Sequence, residues 1–258
     1  MKGTNKVNYL NREGLVHHNT PVADWSFVYE QSTVRDPKWN LGDEVKVPGG
    51  RKFVYSKSAA ACLSGQGCET TKIGLYGAVA SVAGAVGDQS IVVAAGTHDA
   101  VTADELRGGY VIIHTAGNTQ MFRGIIGNAA SVANAALTLY LDGSLTAVVA
   151  VTILVEVFQN PYGSLRTGAT VDLAKLGVPA VYVSAANVYF WCQTEGYCFV
   201  APQAGLTGKE IGACWKHDGS IDTLTNGVSV SAIVSSQYAG HRVMGSADLV
   251  GPLFYLQG

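Results

Sequence analysis

Short alternations of apolar and polar residues run through most of the chain, and few stretches keep the 3.6-residue period of a helix. In Leu41–Ser58, "LGDEVKVPGGRKFVYSKS", Val45 and Val47 alternate with charged neighbours. Pro48-Gly49-Gly50 then reads as a turn and Lys52–Ser56 as the next strand, so the segment predicts a hairpin. Further strands are predicted at Gln89–Ala95, Gly109–Thr115, Met121–Ile126, Ala136–Leu141, Ala147–Phe158, Ala180–Val183, Val188–Gln193, Tyr197–Ala201, Val228–Ser235 and Leu253–Leu256. Turns are predicted at Gly117-Asn118, Gly127-Asn128, Asp142-Gly143, Asn160-Pro161, Asp218-Gly219 and Asn226-Gly227. Asp-Gly and Asn-Gly are strong hairpin signals because both residues tolerate positive φ. Closely spaced short strands predict a mainly β fold of antiparallel β-sandwich or barrel modules, with few short helices.

Two regions depart from this pattern. Residues 59–100 are rich in Ala, Gly, Val and Ser, and periodicity does not separate helix from strand there. Val79, Val82 and Val86 stand at helical spacing, but each of Gly77, Gly84 and Gly87 weakens a helix by about 1 kcal/mol relative to Ala. Just beyond, Thr102–Leu106 resembles a capped turn, with Glu105 three residues after Thr102. Residues 1–40 are polar, hold Pro21, Pro37, Trp25 and Trp39, and show no period. They predict an extended N-terminal arm before a β-rich body at 41–258. The tryptophans of that arm need apolar cover, from the chain's own body or from a neighbouring subunit. The body allows a division into two packed β subdomains with a boundary near 160–178.

Composition narrows the function classes. With 14% charged and 48% hydrophobic residues, the chain has the apolar surface that disordered chains lack. A net charge of −2 offers no basic excess for nucleic acid or an anionic membrane. The most apolar run, Leu145–Phe158, has about eleven uncharged residues before Glu156, against the ~20 a spanning helix needs. Its Val, Ile and Thr content favours a buried strand. The opening "MKGTNKVNYLNREG" lacks the apolar core of a signal peptide, and five cysteines do not make a disulfide framework in a chain this long. A reducing, cytoplasmic site of synthesis is the expectation.

Candidate chemistry is sparse. There is no G-x-S-x-G elbow, no P-loop and no H-E-x-x-H, and the carboxylates cluster at turns. His17 and His18 are adjacent on an extended segment, which points their rings to opposite faces. Cys214-x-x-His217 has ligand-like spacing, but a zinc site needs about four ligands, so Cys192 and Cys198 would have to supply the rest. No enzyme activity, catalytic residue, cofactor or metal is expected. "YFWCQTEGYC" (Tyr189–Cys198) admits three geometries. A two-residue loop at Glu195-Gly196 puts Cys192 and Cys198 on opposite faces. A three-residue loop places them opposite each other, where a disulfide could form. The third geometry is one long strand kinked at Gly196.

Several segments together resemble a known family. "GDEVKVPGGRKFVYSKSAAACLSGQG" is followed in order by "GGYVIIHT", "FRGIIGN", "LTLYLDGSL", "VTILVEVFQNPYGSL" and "GVPAVYVSAANVYFWCQTEGYCFVAPQAGLTGKEIG". This series, over roughly residues 33–250, is similar to the tailed-bacteriophage virion structural proteins, several of which are capsid decoration (cement) proteins. Trp191, Gln193, Thr194 and Gly196 carry the most recognisable part. The resemblance implies a homotrimer on the outer surface of the head shell, with the major capsid protein and its own copies as partners, neither nucleic acid nor membrane among them, and no catalytic residues. On that expectation Trp25, Trp39 and Trp191 are the candidate interface anchors. The alternative expectation is a tail- or head-fibre-associated protein that binds a host-surface glycan.

Overall fold

The structure is a computed structural model. It describes residues 24–71, 76–80, 82–96, 98–115, 120–151, 153–168, 173–201, 211–223, 237–244 and 253–257. The fold is mainly β, made of curled antiparallel sheets, and among the described residues no helix reaches seven residues. In chain order the strands are β1 (Glu44–Val47), β2 (Arg51–Lys57), β3 (Cys68–Thr70), β4 (Tyr76–Ala80), β5 (Ser90–Val93), β6 (Tyr110–His114), β7 (Gln120–Asn128) and β8 (Leu137–Leu141). They continue as β9 (Leu154–Phe158), β10 (Leu165–Thr167), β11 (Lys175–Pro179), β12 (Tyr189–Phe199), β13 (Gly212–Trp215), β14 (Ile221–Thr223), β15 (Tyr238–Met244) and β16 (Leu253–Leu256). Two compact units result: an inserted unit, Lys72–Pro161, and a split unit formed by Met1–Thr71 with Tyr162–Gly258.

The inserted unit is a sheet in the order β4-β9-β6-β7-β8-β5. Strict alternation builds its core. Val111 and Ile113 of β6, Val155 and Val157 of β9, and Leu137, Leu139 and Leu141 of β8 all point inward. Their cluster is aliphatic apart from Met121 and contains no aromatic ring. The sheet curls far enough that the chain just after β4 reaches the other edge, where the Val82 N–H donates to the Val92 carbonyl of β5 at 2.9 Å. Curling in this way satisfies edge groups that would otherwise be open to pairing with another chain. The predicted Thr102 turn is present, with the Thr102 N–H and hydroxyl both donating to Glu105 Oε2.

One strand expectation needs correction in this unit. Of Ala147–Phe158, only Leu154–Phe158 is strand. Asp142-Gly143 does not turn the chain back onto β8, because β9 instead pairs with β6 and β4. Leu145 and Val149 are still buried; Val149 exchanges two backbone hydrogen bonds with Gly84, and Leu145 is bonded to Asp88 and Gly87.

The split unit follows the path β10-β3-β11-β12-β16-β15-β13-β14, with β2 also pairing with β12 and β1 with β2. The predicted hairpin is present, with Val45 opposite Phe53. Ala180–Val183 is not a strand. The strand is the preceding β11, and Val183 makes only a bridge to Cys62. The predicted strands Val188–Gln193 and Tyr197–Ala201 are one continuous β12. Leu253–Leu256 is strand as expected. Val228–Ser235, Gly117-Asn118, Asn226-Gly227 and the histidines at 17 and 18 lie outside the described residues.

Candidate interaction faces

The three tryptophans singled out from the sequence come together in one cluster of the split unit. Trp39 and Trp191 are only 4% and 3% exposed and pack edge to face at 4.8 Å. Phe27 stacks on Trp39 and meets Trp191 edge-on, while Trp25 lies partly buried beside Phe27. A short 3-10 turn, Ser26–Tyr29, carries this contact, and the Ser32–Tyr189 bridge fixes the following residues to β12. Within residues 24–40, Val28 and Trp39 are therefore part of the core of their own unit, with Trp25 and Phe27 packed against it. The chain itself covers the aromatic surface of Trp39 and Trp191.

In β12 the third of the three geometries is realised. The strand runs on through Gly196, which takes φ +90° and pairs with Leu256, and its register against β2 slips at Thr194, between Gln193 and Glu195. A side chain there would strain the backbone and meet the Gly50 carbonyl at 2.7 Å, so glycine is required. Cys192 and Cys198 are six residues apart on one strand, about 20 Å at a strand's rise, and all five thiols are free. Cys192 belongs to the cluster around Phe190, whereas Cys198 packs against the cluster around Phe254.

Burial of these thiols suppresses nucleophilic chemistry. Hydrogen bonding to Cys68 and burial hold the Cys62 thiol protonated, and burial does the same to Cys192. Burial raises Cys198 to about 12. A thiolate is the reactive form, so none of these three is poised as a nucleophile near neutral pH.

The histidines are equally dispersed. His98 lies buried with its ring between the carbonyls of Asp99 and Ala135. His241 stacks on Tyr255. The His217 carbonyl accepts from Lys175 Nζ at 2.9 Å, and Cys214 Sγ donates to the Asp222 carbonyl. Among the described residues no group of three or more His, Cys, Asp or Glu is placed to hold a metal ion.

A buried charge cluster is structural. Glu69 is 0% exposed and lies between two cross-strand neighbours, Arg166 of β10 and Lys175 of β11. Arg166 Nε reaches one carboxylate oxygen at 3.3 Å and Lys175 Nζ the other at 2.5 Å. The two cations and the His217 carbonyl together satisfy groups that would be costly to bury singly.

Outward-facing residues of the inserted unit offer a surface of different character. On β9, β6 and β7 they form three cross-strand rows. Phe158, Tyr110 and Gly124 make the first row, Glu156, Ile112 and Phe122 the second, and Leu154, His114 and Gln120 the third. Phe122 is 59% exposed and its ring stacks on Tyr110 at 5.3 Å. Leu154, Ile126 and Tyr140 are exposed nearby on the same sheet. The polar content of the rows is concentrated in His114, 3.6 Å from Glu156, and Gln120.

Sequence reasoning did not single out these residues. Their signal was available in "YVIIH" and "MFRGII", where apolar residues occupy both faces of a strand. A second aromatic group lies on β12, β16 and β15, where exposed Tyr197 meets half-buried Tyr255 edge-on and Tyr255 stacks on His241.

Comparison with protein-family models, with curated proteins and with solved structures finds no match for this chain. No helix among the described residues is long and apolar enough to cross a membrane.

Proposed function

We propose that the chain is a virion structural protein of the tailed-phage type that decorates the outer surface of an assembled head shell. In this reading it binds as a homo-oligomer, a trimer by the sequence resemblance, with the major capsid protein as its partner. The observation that carries the reading is the apolar outer face of β9, β6 and β7. Contiguous exposed apolar surface on a soluble chain commonly marks a protein-binding site. The low charge content and the segments similar to decoration proteins support it as well.

Binding to the assembled shell and not to free subunits would stabilise the shell by mass action. Symmetry-related contacts would add avidity without any one contact being strong. The proposed role is structural, without catalysis. Adding the purified protein to undecorated shells tests it: the protein should co-sediment with them and raise their disruption temperature. No co-sedimentation at saturating protein would overturn the proposal.

A second reading is a tail- or head-fibre-associated protein that binds a host-surface glycan. The platform of exposed Tyr197 with half-buried Tyr255 and His241 favours it, because aromatic faces beside polar groups suit sugar rings. Retention on immobilised host glycans, lost in Tyr197→Ala, would shift the balance to this reading.

A further inference from the structure

Three of the five thiols share one core, and two of them lie against the same short strand. Cys62, Cys68 and Cys192 belong to a single buried cluster with Leu165, Val183, Val188 and Phe190. Cys62 Sγ donates to the Leu165 carbonyl at 3.5 Å and Cys68 Sγ meets Thr167 Oγ1 at 3.3 Å, so both thiols lie against β10. Each backbone is held independently. Cys62 exchanges hydrogen bonds with Val183 at 2.8 and 2.9 Å, and Cys68 pairs with Thr167 on one side and Gly177 on the other. Between them runs Leu63–Gly67, a tight loop closed by the Gln66 N–H on the Leu63 carbonyl, with Gly65 at φ +77°. Thr167 Oγ1 accepts from the Leu63 N–H and contacts Cys68 Sγ at 3.3 Å, which holds loop and thiol together.

We propose that Cys62 and Cys68 are a latent disulfide that closes this loop when the chain folds under oxidising conditions. The oxidant is a small-molecule disulfide such as glutathione disulfide. Two Cys S–H bonds break and one S–S bond forms between Cys62 and Cys68. The two electrons and two protons reduce the oxidant's S–S bond to two thiols, by way of a mixed disulfide. Cys192 lies in the same cluster but on β12, beyond the β11 strand that pairs with Cys68, whereas Cys62 is joined to Cys68 by the short closed loop. Both members of the pair are 0% exposed, so oxidant and reductant reach them only when the loop opens or before folding is complete. The chain therefore has two long-lived forms, set by the conditions in which it folded. This property belongs to the chain itself and holds whether or not the chain binds a head shell.

The test is to denature the full chain with its thiols reduced and refold it in glutathione disulfide. Alkylation and peptide mapping then locate the cross-link. The expected product is two hydrogen atoms lighter, joined at Cys62–Cys68, with Cys192, Cys198 and Cys214 alkylated. The chain already folded should form the same cross-link at least about tenfold more slowly. Cys192→Ala should leave the pairing unchanged, and the cross-linked form should melt at a higher temperature than the reduced one. Five free thiols after oxidative refolding would overturn the proposal, as would a cross-link through Cys192, Cys198 or Cys214, or loss of the cross-link in Cys192→Ala.

Discussion

The inserted and split units are both curled β-sheets, yet they bury different chemistry. The inserted unit fills its core mainly with Val, Leu and Ile, many of them from the alternating strands β5, β6, β8 and β9. The split unit buries aromatic rings, thiols and the Glu69–Lys175–Arg166 cluster. All four tryptophans and all five cysteines lie in the split unit. An aliphatic core tolerates volume-conserving exchange, because its energy depends mainly on area and fit. A core with a buried carboxylate depends on its partners being present. Tryptophan fluorescence reports only the split unit, so the contrast can be measured directly.

The largest expected effect is in Lys175→Met. It leaves the Glu69 carboxylate buried with Arg166 alone and should cost the split unit about 3–5 kcal/mol, read as a lower urea midpoint in tryptophan fluorescence. In the inserted unit, Leu139→Ala should cost about 2–5 kcal/mol, read as faster amide hydrogen exchange in β5 to β8. If either substitution shifts both readouts equally, the units unfold as one and the contrast has no energetic meaning. Gly196→Ala should cost about 1–3 kcal/mol through its positive φ, seen only in the fluorescence transition. Phe122→Ser, on the exposed rows of the inserted unit, should change folding stability by under about 0.5 kcal/mol while weakening shell binding in the sedimentation assay.

The smallest effect is a pH dependence of the split unit. Burial alone would raise the Asp218 carboxyl, but hydrogen bonds from the Ser220 hydroxyl and N–H, aided by His217 and Lys216, hold it below its ordinary value. A depressed carboxyl adds stability above its unfolded pKa of about 3.9, and that share is lost as pH falls through the lower folded value. Asp218→Asn should therefore flatten the acid limb of the split unit's stability curve and leave hydrogen exchange in the inserted unit unchanged.

Legibility in the sequence follows the same division. Strands β5, β6, β8 and β9 show period-two burial, and β5 to β8 lie within about two residues of their expected bounds. In the split unit the hairpin of β1 and β2 was readable from its turn. Strand β11, "KLGVP", was not: it buries Lys175 against Glu69 and ends in proline, so it lacks a strand's alternation. Strands β3, β10 and β14 have three residues each, too few to show a period. The tryptophans advertised themselves by type, but only the fold shows that Trp39 and Trp191 are spent on each other. Conversely, the strand pattern did not mark Phe122 and Tyr110, which stack on each other on the outer face of the sheet.

The central claim, that this chain coats a head shell, is tested most directly by imaging virions that carry it. The account predicts repeated density on the outer surface of the head, into which the two β units fit. Density confined to the tail or fibres, with none on the head, would contradict it.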